Sequence, residues 1–74
     1  MSEHLPALSG KDCVRALAKL GWSVARQTGS HIILRKVGYP RGVCVPNHKV
    51  IDKGTLASVI RQSGLTQEEF RKLL

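Results

Sequence analysis

A chain of 74 residues makes one domain, and at that size it buries only about 60% of the surface its unfolded form exposes. Lys and Arg number 12 against 5 Asp and Glu, for a formal net charge of +7, a balance that suits a polyanion such as nucleic acid, the alternative being a solvated face that serves solubility alone. Membrane and secreted classes are not expected. No apolar run approaches the roughly 20 residues a bilayer requires, and the start MSEHLPALSG lacks the apolar centre of a signal peptide.

The charge is unevenly placed. No acidic residue lies between Asp12 and Asp52, whereas seven basic residues do: Arg15, Lys19, Arg26, Arg35, Lys36, Arg41 and Lys49. Cys13 and Cys44 fit neither a disulfide framework nor a zinc spacing, so free thiols in a reducing cytoplasm are expected.

Residues 1–8 read as a lead-in, and His4 within it is assigned no role. Ser9-Gly10-Lys11-Asp12 has the form of a capping box, with Leu8 and Cys13 at the staple positions around it. Cys13, Ala16, Leu17 and Leu20 recur at helical spacing, which predicts a first helix from about Gly10 to Leu20, closed by Gly21. From Trp22 to Gln27 the period is two, with Trp22, Val24 and Arg26 expected on one side and Ser23, Ala25 and Gln27 on the other. Thr28-Gly29-Ser30 reads as a tight turn, His31 to Val37 as a second strand, residues 38–42 as a longer turn and Val43 to Val45 as a third strand stopped by Pro46. Short connections make these an antiparallel meander. A loop from Asn47 to Lys53 leads to a second helix from about Gly54 to Ser63, and Thr66-Gln67-Glu68-Glu69 opens a short third helix with Leu65 and Phe70 as its staple. The predicted class is α+β in two layers, in the order α-β-β-β-α-α, with a three-stranded antiparallel sheet and the helices on one face. That is the element order of the double-stranded-RNA-binding fold.

Certain local motifs narrow the reading further. Gly29-Ser30-His31 opens the second strand. Val45-Pro46-Asn47-His48 leads to Lys53-Gly54-Thr55-Leu56, and Ile60-Arg61-Gln62-Ser63-Gly64-Leu65-Thr66 follows. As an ordered set from Ser9 to Phe70 these motifs resemble the HicA toxin family, whose members pair with HicB antitoxins. The resemblance implies an mRNA-cleaving endoribonuclease, and it implies that His31, in the matching Gly-Ser-His motif, is the catalytic histidine. It also implies that a HicB-type antitoxin is made alongside the toxin. The basic stretch suggests that such a partner is acidic.

The residues are suited to that chemistry. Strand parity sets His31, Ile33 and Arg35 on one face and Ile32 and Leu34 on the other, helix-packed face, so His31 is expected on the open face beside Arg35. An imidazole titrates near neutral pH and can take the proton of a ribose 2′-hydroxyl, whose oxygen then attacks the adjacent phosphorus. Cations hold the backbone in line and neutralise developing charge. His48, near Lys49 and Lys53, is a second candidate, either for RNA contact or leaving-group protonation or for a hydrogen bond that fixes the loop. Lys53-Gly54-Thr55 opens a helix whose free N–H groups could meet phosphate, unless Gly54 serves only close packing. Gly29 and Ser30 shape the turn before His31. No carboxylate or cysteine cluster indicates a metal, and no cofactor is expected. Two other readings are a non-catalytic RNA-binding module and a degenerate toxin that retains only antitoxin binding. The first lacks the expected lysine cluster at the start of the last long helix, and an intact His31 argues against the second.

Overall fold

Ser9 takes an extended conformation and its hydroxyl accepts from the Asp12 N–H at 3.1 Å, while the Asp12 carboxylate accepts from the Ser9 N–H at 3.1 Å. This reciprocal cap starts α1, Gly10–Ala18, and Leu8 and Cys13 are buried on either side of it. The computed structural model describes residues 7–74, so His4 and the rest of segment 1–6 lie outside the described residues. Leu8 belongs to the fold proper, since its side chain is in the core and its carbonyl accepts from the Ile51 N–H at 2.8 Å. The helix stops two residues before Leu20, which is exposed in the turn that follows.

Three strands follow: β1, Ser23–Thr28; β2, His31–Arg35; and β3, Val43–Pro46. They pair antiparallel in the order β1-β2-β3. Gly29 and Ser30 alone connect β1 to β2, with Gly29 at φ +51°, a conformation that a two-residue hairpin loop demands at its first position. The second strand ends at Arg35, short of the predicted Val37, because the chain turns at Val37 and Gly38 and the Tyr39 N–H closes on the Lys36 carbonyl.

Two helices complete the layer: α2, Lys53–Gln62, and α3, Gln67–Arg71. Asp52 caps α2 and the Thr66–Glu69 capping box starts α3. Ile32, Leu34, Val43 and Val45 turn to the helices and are 4% exposed or less, against Leu17 of α1, Leu56, Val59 and Ile60 of α2, and the fully buried Phe70 of α3. Truncating Phe70 to alanine would cost about 3–5 kcal/mol, a large share of what a domain this small can hold. The helices occupy one face, so the other face of the sheet is open.

One expectation about β1 is overturned. The register runs Ser23↔Arg35 and Val24↔Leu34, then resumes at Arg26↔Ile33, Gln27↔Ile32 and Thr28↔His31, with an irregularity at Ala25. The extra residue is a β-bulge, and it shifts the alternation by one. Val24 and Gln27 therefore share the helix side, while Arg26 joins Ser23 and Thr28 on the open side, away from Val24.

Candidate functional site

The open face is organised around Ile33. His31 and Arg35 lie two residues either side of it along β2, and Arg26 and Cys44 are its direct cross-strand partners on β1 and β3. Ile33 is half-buried, and the three basic side chains around it are exposed. His31 and Arg35 share a face as their parity requires, but they are not adjacent, because the three residues between them set them about 13 Å apart along the strand. Arg26 is the diagonal neighbour of both, at roughly 7–8 Å. Sequence reasoning missed Arg26 because it counted strand parity forward from Trp22. Counting back across the two-residue turn, from His31 opposite Thr28 to Ile33 opposite Arg26, would have placed it correctly.

The electrostatics of this face follow from where the acids went. Among the described residues Asp12, Asp52 and Glu69 are engaged in helix caps, and Glu68 stands in the first turn of α3. The one ion pair among the described residues is Arg15 with Asp12 at 3.3 Å. Every described carboxylate thus sits at a helix start, where the dipole favours it, and none lies on the sheet.

Asn47, which leads to His48, donates its N–H to the Ser30 carbonyl at 2.6 Å, so the loop after β3 runs beside the turn that precedes His31. His48 and Lys49 are exposed, and the His48 carbonyl accepts from the Gly10 N–H at 2.9 Å. A Cβ on Gly10 would run into the Pro46 carbonyl, so the glycine lets the start of α1 press against this loop. Lys53 is exposed at the head of α2. Thr55 is committed elsewhere: its hydroxyl donates to Asp52 at 2.6 Å and its N–H at 3.3 Å, which holds the Asp52 carboxyl below the usual range. The helix start therefore already carries its own anion. A Cβ on Gly54 would meet only an Asp52 oxygen at 3.4 Å, so close packing does not require this glycine.

Tyr39 is half-exposed and already engaged. Its ring lies 5.3 Å from that of buried Trp22, and the Lys36 ammonium stands 4.7 Å from its centroid. Among the described residues no group of three or more His, Cys, Asp or Glu could hold a metal, and no helix is long and apolar enough to cross a membrane.

The fold and the site together define a small basic α+β domain of double-stranded-RNA-binding type with an acid-free sheet face. Residues 10–65 match the family model described as the HicA toxin of bacterial toxin–antitoxin systems. A chain of a toxin–antitoxin complex from Streptococcus pneumoniae is similar to this one at a TM-score of 0.70 and 32% identity, covering 78% of this chain and 98% of that chain. No curated protein matches the sequence. The chain belongs to the HicA toxin family.

Proposed function

We propose that this toxin is a metal-independent endoribonuclease acting on messenger RNA, with His31 as its general base. The observation that carries this reading is the exposure of His31 at the head of β2, on a sheet face with two arginines and no carboxylate, in a chain of the HicA family. Neutral His31 takes the 2′-hydroxyl proton. The 2′-oxygen forms a bond to phosphorus, the bond from phosphorus to the 5′-oxygen breaks, and that oxygen is protonated as it leaves. His48, at the same end of the sheet through the Asn47–Ser30 hydrogen bond, is the acid for that second transfer. Arginines on the open face offset the charge that builds on the phosphoryl oxygens.

A toxin of this kind needs an inhibitor. The similar Streptococcus pneumoniae protein is part of a toxin–antitoxin complex, and we assign this chain a partner of the same kind, an acidic HicB-type antitoxin that covers His31. Complementary charge speeds such an encounter.

The test is cleavage of a labelled RNA by the wild-type protein and by His31→Ala, with circular dichroism on both. Cleavage of RNA but not of the same sequence as DNA, retained in chelator and lost in a folded His31→Ala, is expected. A folded His31→Ala that cuts at the wild-type rate would remove the assignment, and a wild-type protein that binds RNA without cutting would make this a binding module.

A further inference from the structure

Ala25, Arg26, Ile33 and Arg35 line a shallow concavity on the open face. Its apolar lining is exposed Ala25 at the bulge and half-buried Ile33, and Arg26 and Arg35 bound it from neighbouring strands. Like charges at diagonal positions repel unless an anion lies between them. Here no described carboxylate pairs with either arginine, because the acids are held at the helix starts. Arg35 also has a prepared path. A Cβ on Gly42 would meet the Leu34 carbonyl at 2.8 Å, the Arg35 Cδ at 3.2 Å and its Nη1 at 3.5 Å, so the glycine leaves room for the arginine to lie along the sheet.

We propose that this concavity is a nucleotide subsite for single-stranded RNA, next to the position where His31 acts. The base rests on Ile33 and Ala25, and Arg26 and Arg35 bind the phosphates on either side of that nucleotide. Arginine suits this because its planar fork pairs with two phosphate oxygens at once. An apolar floor between two cations matches a nucleotide, which carries an apolar face between two anionic linkages, better than it matches an acidic side chain. The bulge at Ala25 has the specific consequence of bringing Arg26 into the cluster. The proposal rests on the reading of this face as RNA-directed, and the controls below keep the two separable.

The experiment measures binding of a single-stranded RNA oligonucleotide by anisotropy across a salt series, in a His31→Ala background that cannot consume the probe. Arg26→Gln and Arg35→Gln are each expected to weaken binding about tenfold at low salt. Each should also lower the magnitude of the log–log salt slope by roughly 0.7, the value of one phosphate contact on a single strand. Ile33→Ser should weaken binding with the slope unchanged, because the floor carries no charge. Arg61→Gln removes the same charge from an exposed position on α2 and is the control. If Arg26→Gln and Arg35→Gln do no more than Arg61→Gln, the subsite is wrong, even where wild-type protein cuts RNA and His31→Ala does not. If the arginine variants leave RNA binding intact but weaken the antitoxin complex, the concavity belongs to the protein partner and the proposal fails. If they weaken RNA binding as expected while wild-type protein cuts nothing, the subsite stands and the ribonuclease reading falls.

Discussion

The Asn47 N–H donates to the Ser30 carbonyl at 2.6 Å, which ties the residue before His31 to the residue before His48 through backbone alone. Two substitutions can therefore be told apart. Asn47→Ala keeps the tie and should leave cleavage within about twofold. His48→Ala removes the proposed leaving-group acid and should lower the single-turnover rate by about a hundredfold or more, with the fold intact. Single-turnover cleavage reads both. A His48→Ala protein at the wild-type rate would leave His48 as a loop residue only.

Gly10 carries the same loop from the other side. It is buried, and a Cβ there would drive into the Pro46 carbonyl and approach the Asn47 Cα at 3.1 Å. Both obstacles are backbone and cannot rotate away. Alanine would ordinarily favour the helix by up to about 1 kcal/mol, but the collision should outweigh this and destabilise Gly10→Ala by about 1–3 kcal/mol. Urea denaturation measures the difference, and a Gly10→Ala protein as stable as wild type would show that the helix start can shift.

The caps of α1 and α3 are legible in the sequence because a capping box lies within four consecutive residues, and both form as their spacing implies. The core face of β2 is legible because Ile32 and Leu34 alternate cleanly with His31, Ile33 and Arg35. The face of Arg26 is legible only when counted back from the Gly29-Ser30 turn; counted forward from Trp22 it is lost, because nothing in Val24-Ala25-Arg26 marks which residue is extra. Asp52 caps α2 although its sequence context points to a loop, because Lys53 and Gly54 behind it are poor signals of a helix start. For Thr55 the limit is of a different kind: its residue type suits phosphate binding, but its hydrogen bonds are already given to Asp52.

The caps make stability pH-dependent on the acid side. The Asp12 carboxyl is held below its ordinary value chiefly by the Ser9 N–H, and Asp52 chiefly by the Thr55 hydroxyl. A carboxyl with a lowered folded pKa contributes stability that is complete above the unfolded value, near 3.8, and is lost as pH falls through the folded value. Thermal midpoints should therefore fall as pH drops below about 4. In Asp52→Asn the fall should be shallower, since that position no longer takes up a proton on unfolding. An unchanged slope in Asp52→Asn would mean that its cap is not coupled to folding.

The two cysteines should behave oppositely. Cys13 is fully buried in α1, and burial, with the charge of Asp12 adding to it, pushes its thiol up to about 11 from 9.0. An unfolded chain would lose that proton near 9 while the folded protein keeps it to about 11, so this contribution to stability is present below 9 and is lost as pH rises through that window. Cys44 is half-buried on the open face, opposite Ile33 on β3. Iodoacetate at neutral pH should modify Cys44 in the native protein and reach Cys13 only after unfolding, which mass spectrometry of the tryptic peptides distinguishes. The product at Cys44 is a carboxylate beside the Arg26–Ile33 pair, so it should offset the positive field there and weaken RNA binding. Bound RNA should in turn slow the modification. Equal labelling of both thiols in the native state would contradict the burial of Cys13, and a Cys44 rate indifferent to saturating RNA would place the RNA away from the centre of the sheet.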